Sequence, residues 1–251
     1  MKKENLTILS KENVAPRVYK MILEGESVKS MLTPGQFVHL KVGTLKHPVL
    51  RRPISICNVE NNKLTIIYRI EGQGTALLNE KNIGDTVDTL GPLGEGFPLQ
   101  ESGKALLIGG GVGIPPLLYL AKQLKAKGVK VQAVLGFRTA EDMFLTEEFK
   151  TYADVIVTTE DGSFGIKGFV TDALPQTAPY DVFYSCGPKV MLRAVELAAA
   201  TAGYISLEER MGCGVGACLA CVCDKKEPFT GKSYVKACQD GPVFQTGEVV
   251  L

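Results

Sequence analysis

The stretch Lys104-Ala105-Leu106-Leu107-Ile108-Gly109-Gly110-Gly111-Val112-Gly113 decides the fold of this 251-residue chain. It joins a short apolar strand to a glycine loop, and an amphipathic helix follows over 114–127. The alternation of strands and helices then continues to about residue 200. Further strands are predicted at 129–137, 154–158 and 181–185, and further helices around 142–149, 169–174 and 189–200. This pattern predicts a parallel sheet with helices on both faces.

The glycine loop predicts a nucleotide site, because such sheets bind nucleotides at the carboxyl ends of their strands. Gly111 and Gly113 belong to a Gly-x-Gly-x-x-Pro loop, for which a tight turn without a ligand is the alternative interpretation. Arg138, after the next strand, suits the phosphate of NADP, whereas Glu141 and Asp142 suit the ribose of NAD. The sequence alone does not distinguish between NAD and NADP as the bound nucleotide.

Upstream of this unit, residues 5 to about 98 contain short strands separated by turn signals. The strands are predicted at 17–23, 37–42, 54–59, 64–70 and 86–90, with one helix near 75–80 and a turn-rich linker at 91–98. The strand at 54–59 is expected to pair with 64–70 across the turn at 60–63. Many short strands at this spacing predict a small antiparallel β-barrel.

Two phosphate sites are predicted within the barrel. Arg52 begins the stretch Arg52-Pro53-Ile54-Ser55, and guanidinium groups bind phosphate through two parallel hydrogen bonds. Gly74 and Thr75 open the predicted helix, where free N–H groups and the macrodipole attract anions. Tyr68 offers a ring for stacking. Alternatively, Arg52 and Arg69 are solvated charges and Tyr68 is a core residue, but two phosphate sites together favour a dinucleotide.

Downstream, the stretch 213–221 reads Cys-Gly-Val-Gly-Ala-Cys-Leu-Ala-Cys. Cys213, Cys218, Cys221 and, 17 positions further on, Cys238 have the C-x4-C-x2-C…C spacing of plant-type [2Fe–2S] proteins. Structural zinc usually shows two C-x2-C knuckles, and disulfides would imply a secreted chain, so both alternatives are disfavoured. Cys223 does not fit the spacing and is interpreted as a packed free thiol.

Composition excludes several classes of function. The net charge of +1 gives no electrostatic reason to expect nucleic acid or an anionic membrane as a partner. No apolar run reaches the ~20 residues that span a bilayer, and the first residues lack the apolar core of a signal peptide. These features predict a cytoplasmic protein. The two histidines, His39 and His47, lack a catalytic partner pattern and are interpreted as structural.

The motifs Arg-Pro-Ile-Ser and Tyr-Arg-x-Glu-Gly-x-Gly-Thr resemble the flavin domain of the ferredoxin–NAD(P)H reductase superfamily. The Gly-x-Gly-x-x-Pro loop and the Cys-Gly-Pro motif at 186–188 are also similar to that superfamily. The resemblance implies that Gly74 and Thr75 hold the diphosphate of FAD and that Cys186 lies near the nicotinamide and the flavin as the candidate catalytic residue, for which a small buried residue is the alternative interpretation. It implies further FAD contacts at Arg52, Pro53, Ile54, Ser55, Ile67, Tyr68 and Arg69.

The order of the parts resembles the electron-transfer subunits of B-type dihydroorotate dehydrogenases. It implies a flavin barrel over 1–98, an NAD-binding α/β domain over 99–204 and a β-rich [2Fe–2S] module over 205–251, with the four cysteines as ligands. It also implies an FMN-containing catalytic partner, in a heterotetramer of two of each chain. Electrons would pass from FMN through the cluster and FAD to NAD in pyrimidine biosynthesis. Alternatives are a reductase subunit for ferredoxin, hydrogenase or glutamate-synthase assemblies, and a non-enzymatic redox-sensing or zinc-binding adaptor.

Overall fold

In a computed structural model, residues 1–43, 49–226 and 231–251 are described, so His47 lies outside the described residues. The amino-terminal part forms an antiparallel sheet in the order β4-β3-β7-β1-β2-β6-β5. Its elements are β1 (Lys2–Ala15), β2 (Val18–Glu24), β3 (Phe37–Lys41), β4 (Arg52–Ser55), β5 (Asn58–Glu60), β6 (Lys63–Arg69), α1 (Gln73–Glu80) and β7 (Thr86–Leu93). Alternate side chains of these strands fill one buried core, which confirms the predicted barrel.

The predicted single strand over 54–59 is wrong, because the chain turns a corner there. Ile56 donates its N–H to the carbonyl of Gln36 at 3.0 Å, next to β3, whereas Cys57 donates to Thr65 in β6, also at 3.0 Å. Successive amides therefore bond to opposite sides of the sheet, which closes the barrel. The segment consequently forms two strands, β4 against β3 and β5 against β6.

The predicted linker at 91–98 is also partly wrong, since β7 continues to Leu93. Leu93 pairs with Phe37 of β3, and its side chain is buried in a core that the barrel shares with the rest of the chain. Burial of this residue extends the strand beyond the turn signals of the local sequence.

The second sheet has the order β11-β10-β9-β8-β12-β13-β16 and is parallel except for β16. The strand–loop–helix unit around the glycine loop forms the central part of this sheet. The elements are β8 (Lys104–Gly110), α2 (Ile114–Ala126), β9 (Lys130–Phe137), α3 (Thr146–Lys150), β10 (Asp154–Thr159), β11 (Ile166–Lys167), α4 (Val170–Ala173), β12 (Val182–Cys186), α5 (Lys189–Ala198), β13 (Gly203–Ser206) and β16 (Val243–Gln245).

Helices cover both faces of this sheet, as the sequence predicts. Leu107 of β8 lies in one buried core with Leu117 of α2. Its neighbour Ile108 lies in a different core with Leu192 of α5. Because successive side chains of a strand point to opposite faces, the continuous apolar run of β8 is buried on both sides.

The carboxyl-terminal segment is built into the second sheet. β13 pairs in parallel with β12 and antiparallel with β16, and the predicted domain boundary at 204/205 falls within β13. β14 (Val222–Asp224) and β15 (Tyr234–Lys236) form a hairpin. Near the end of the chain, Val249 forms a single bridge with Lys225.

A shared core explains how so short a segment is stabilised. Val235 and Cys238 pack in the same buried cluster as Ile108 of the second sheet and Phe37 of the barrel. The cluster segment therefore depends on its neighbours for most of its apolar burial, as its length predicts. Within the described ranges, every helix is too short or too polar to cross a membrane.

Candidate functional site

The four predicted ligand cysteines lie in one loop and at the end of the neighbouring hairpin. Backbone N–H groups of the loop point at their sulfur atoms. Gly216 donates to Cys238 Sγ at 3.1 Å, Ala217 to Cys213 Sγ at 3.3 Å, and Cys238 to Cys221 Sγ at 3.4 Å. Gly214 and Gly216, with φ of 72° and 81°, supply the left-handed turns that fold the backbone around the sulfurs.

This arrangement fits a [2Fe–2S] cluster. Backbone N–H groups directed at sulfur stabilise thiolates and tune the potential of a cluster, whose two irons share four thiolates. Within the described part of the chain, no three His, Cys, Asp or Glu side chains converge on one point as the ligands of a single ion do. Two pairs of thiolates on two irons do not require such convergence.

Cys213 is prepared for ligation by its surroundings. Burial acts to raise the pKa of its thiol, but the N–H groups of Val215 and Ala217 and the contact with Cys218 outweigh it and lower the pKa to about 6. Burial and the neighbouring Cys221 instead raise the pKa of Cys238 to about 12. Because a ligand must be deprotonated, metal binding at neutral pH releases less proton from Cys213 than from Cys238.

We expect iodoacetamide to alkylate Cys213 of the metal-free chain before the buried thiols of Cys57, Cys186 and Cys223. Its lowered pKa makes it mainly thiolate at pH 7, and labelling should fall as the pH drops through 6. Peptide mass spectrometry after brief labelling at pH 5, 6, 7 and 8 measures this order. Equal labelling of Cys213 and Cys223 at pH 7 would contradict it.

Cys223 lies outside this set of ligands. Its side chain is buried, and its Sγ faces Glu209 Oε1 at 3.7 Å. Burial raises the pKa of this thiol to about 12. Glu209 is in turn held by an ion pair with Lys189. These contacts agree with the predicted packed thiol.

The two predicted phosphate sites of the barrel lie against each other. A Cβ atom built on Gly74 would lie 2.7 Å from Cζ and 2.8 Å from Nη2 of Arg52, so the guanidinium rests on the start of α1. The neighbouring Arg51 is engaged elsewhere, since it donates to Asp88 Oδ1 at 2.8 Å. The hydroxyl of Thr75 accepts the N–H of Glu71 at 3.1 Å and shapes the turn into the helix. Arg52, Gly74 and Thr75 together make a candidate diphosphate cradle, and their role in binding a diphosphate stays a prediction.

The sequence offers the Tyr68 ring for stacking on a cofactor, and this prediction is wrong because the ring is buried. Tyr68 is 2% exposed, stacks with Tyr19 at 6.1 Å between ring centroids, and donates its hydroxyl to Asn79 Oδ1. Burial raises the pKa of this phenol well above its usual range. The ring is therefore part of the barrel core. The side chain of Ile67 is also buried, but it belongs to the adjoining core. Pro53, Ile54, Ser55 and Arg69 are partly exposed, so their side chains remain accessible to a ligand.

A cleft of about 670 Å³ lies at the carboxyl ends of β8, β9 and β10. It is lined by the glycine loop, by Arg138 and Glu160, and by Arg69 from the barrel. Nη2 of Arg69 approaches Gly111, whose Cβ position is 3.6 Å away. The cleft therefore has the place and the charges that a dinucleotide needs.

Gly113 and Cys186 meet at the base of the cleft. A Cβ on Gly113 would lie 2.5 Å from the amide nitrogen of Gly187, so only glycine lets the loop pack against the end of β12. Cys186 itself is 2% exposed, and burial raises the pKa of its thiol far above the usual range. The structure thus places Cys186 as a buried thiol beside the glycine loop, and its catalytic role stays a prediction.

Two residues near these sites were not singled out as functional by the sequence. Glu208 lines the cleft, and burial raises the pKa of its carboxyl group, with a further rise from Glu71. His39 is fully buried, and burial together with the charge of Arg51 lowers its pKa to about 4. No spacing signal marks either residue, because their surroundings come from distant parts of the chain. Only the position of Glu208, five residues before the first ligand cysteine, provides a hint.

Comparison with known proteins agrees with these sites. The model of the iron–sulfur cluster binding domain of dihydroorotate dehydrogenase B matches residues 208–250, and the oxidoreductase NAD-binding domain matches 107–197. Over the full length of both chains, the sequence is 52% identical to the electron transfer subunit of dihydroorotate dehydrogenase B (NAD(+)) of Bacillus cereus and 51% identical to that of Bacillus anthracis.

Solved structures show the same architecture. An NADH-dependent reduced ferredoxin–NADP oxidoreductase, studied for flavin-based electron bifurcation, superposes with a TM-score of 0.89 and 32% identity, covering 98% of this chain and 90% of that one. The FAD/NAD binding domain of a Vibrio cholerae nitric oxide dioxygenase shares the fold, with a TM-score of 0.65 and 20% identity over 80% of this chain and 97% of that one. The cluster loop, the diphosphate cradle, the nucleotide cleft and these relatives lead to one conclusion: the chain belongs to the family of electron transfer subunits of dihydroorotate dehydrogenase B (NAD(+)).

Proposed function

We propose that this chain carries electrons from a dihydroorotate-oxidising catalytic subunit to NAD⁺ in pyrimidine biosynthesis. The observation that supports this most strongly is the continuity of the three sites. Gly214 of the cluster loop packs on His39 of β3, β3 pairs with β4 of the diphosphate cradle, and Arg69 of the barrel reaches Gly111 of the cleft. A cluster, a flavin and a nicotinamide bound at these sites would be neighbours in that order.

The order suits the chemistry of the three groups. An iron–sulfur cluster carries single electrons, nicotinamide takes up a hydride, and flavin exchanges both, so a flavin belongs between the other two. The residues of this chain bind and orient these groups. Arg52 and the first turn of α1 hold the diphosphate, the loop N–H groups stabilise the thiolates, and Gly113 brings the nucleotide loop close to Cys186.

The surface of the cluster loop supports a docking partner. Cys218 is exposed, and the apolar side chains of Val215, Leu219 and Val222 around it are 40%, 50% and 43% exposed. Apolar groups concentrated beside an electron carrier are typical of a protein interface. We infer that an FMN-containing catalytic subunit covers this surface, in a heterotetramer of two of each chain. We place the assembly in the cytoplasm, where the thiols stay reduced.

We infer that the nucleotide is NAD(H). Asp142 and Glu160 line the cleft together with Arg138. Carboxylates beside the adenosine part of the cleft bind ribose hydroxyls and repel a 2′-phosphate. Replacing Glu160 with glutamine is accordingly expected to narrow the difference between the KM values for NADH and NADPH, measured with a dye as electron acceptor.

The function is tested by purifying the chain with the proteins that bind it and recording the visible spectrum. Flavin and iron–sulfur bands, dye reduction by NADH in the isolated chain, and NAD⁺ reduction by dihydroorotate only in the complex are expected. Dihydroorotate oxidation by the isolated chain would contradict the division of labour. A colourless zinc protein would instead support an adaptor. The 32% identity to the ferredoxin–NADP oxidoreductase favours a second candidate, a ferredoxin-linked reductase, which would reduce ferredoxin without responding to dihydroorotate.

A further inference from the structure

The side chain of His39 lies at the contact between the barrel and the cluster loop. Along β3, Val38 and Leu40 point into the barrel core, whereas Phe37 belongs to the core shared with the cluster segment. Since side chains alternate along a strand, His39 points outward with Phe37. The two rings are 6.5 Å apart in an edge-to-face arrangement.

The imidazole is packed directly under the loop. A Cβ atom on Gly214 would lie 2.5 Å from Nδ1 of His39, 3.1 Å from Cε1 and 3.3 Å from Cγ, so Nδ1 is the ring atom that faces the loop most closely. Gly214 has a φ of 72° and directly follows the ligand Cys213. Glycine at this position satisfies two needs, the left-handed turn and the space for the ring.

The same side chain adjoins the flavin strand. His39 is paired with Pro53 of β4, so the two side chains lie on one face of the sheet. His39 is 0% exposed, and neither ring nitrogen makes a hydrogen bond of good geometry among the described residues, although backbone groups of Cys213 and Arg51 lie close to the ring. Burying an imidazole with such weak polar contacts is costly. Its position between a cluster loop and a flavin strand gives a reason for retaining it.

We propose that His39 is the positioning residue that seats the Cys213–Gly214 segment on the flavin strand and so fixes the path for electrons between cluster and flavin. The inference rests on the proposed function. When one electron crosses, the reduced cluster is oxidised and the flavin is reduced. No bond of the imidazole breaks, and no proton leaves it. His39 acts through the loop and does not ligate iron.

The test compares three variants of the full chain loaded with FAD and cluster. His39→Leu removes both nitrogens, His39→Asn restores a polar atom near the position of Nδ1, and Phe37→Leu trims the neighbouring ring on the same face as a control. Stopped-flow absorbance after mixing with excess NADH follows flavin and cluster bleaching separately. Electron paramagnetic resonance of the reduced cluster reports the geometry of the loop.

For His39→Leu we expect full flavin content and unchanged flavin bleaching, an altered resonance spectrum, and cluster bleaching slowed several-fold, because the rate of electron transfer falls as the distance between the two groups grows. His39→Asn should recover most of the rate, and Phe37→Leu should resemble the parent chain. Unchanged cluster bleaching and resonance in His39→Leu would overturn the proposal, as would equal slowing in Phe37→Leu or no recovery in His39→Asn.

If His39→Leu fails to hold a cluster, His39→Gln replaces it, since its amide reaches toward Nε2 instead of Nδ1. Better cluster retention in His39→Asn than in His39→Gln would support the proposal, and equal retention would overturn it. The proposed function is judged separately. It fails if NADH does not bleach the flavin of the parent chain. This measurement uses the parent chain and is therefore independent of every His39 variant.

Discussion

Replacement of Cys221 with serine is expected to remove the cluster, whereas replacement of Cys223 with alanine should leave it in place. The two cysteines are two residues apart, and both are buried. Only Cys221 accepts a loop hydrogen bond that links it to another predicted ligand, from the N–H of Cys238 at 3.4 Å. Cys223 instead points at Glu209. The contacts of the two thiols thus distinguish the predicted ligand Cys221 from the packed thiol Cys223.

The expected loss is large because a thiolate contributes directly to iron binding. Even outer-sphere partners of metal ligands change affinity by about 10- to 100-fold, so the affinity of Cys221→Ser for the cluster should fall by at least that much and its iron content should fall with it. Iron and sulfide analysis, the visible spectrum and dye reduction by NADH measure the effect. Dye reduction through the flavin should persist. Retention of iron in Cys221→Ser, or its loss in Cys223→Ala, would show that the ligand set is assigned incorrectly.

Replacement of Gly74 with alanine is expected to release FAD. The added Cβ would lie within 2.8 Å of three atoms of the Arg52 guanidinium, Nε, Cζ and Nη2, and would push this group off the start of α1. A hydrogen bond to a charged group contributes about 1.5–3 kcal/mol. Because 1.4 kcal/mol is tenfold in affinity, FAD binding should weaken about ten- to hundredfold.

Gly72→Ala provides the matched control two residues earlier. Nothing lies within 4 Å of a Cβ built there, and its backbone is extended with φ of −160°. Alanine is a poorer N-cap than glycine, so the control carries a small cost in helix stability but no steric one. Flavin fluorescence during dialysis against a series of FAD concentrations measures both variants. Equal retention of FAD would indicate that Arg52 does not bind the diphosphate.

Local patterns predicted most of the fold and the cysteine spacing that marks the candidate cluster ligands. The period of two along β2 and β6 and the strand–loop–helix unit around Gly111 depend on nearest neighbours in sequence, as does the cysteine spacing. The barrel corner at Ile56 and Cys57 was missed, because the partners of these two amides lie 20 residues upstream and 8 residues downstream on opposite sides of the sheet. Tyr68 was misjudged for a similar reason, since its stacking partner Tyr19 comes from another strand.

By itself, the sequence determined which kind of chemistry this protein supports, because the types of ligand and their spacing can be read from short stretches such as 213–221. Only the tertiary structure determined which residues connect the sites to one another. Gly214 rests on His39, Gly74 on Arg52, and Gly113 on the end of β12, and each pair joins residues far apart in the chain. Contacts of this kind follow from how the barrel, the parallel sheet and the cluster segment bury a common core.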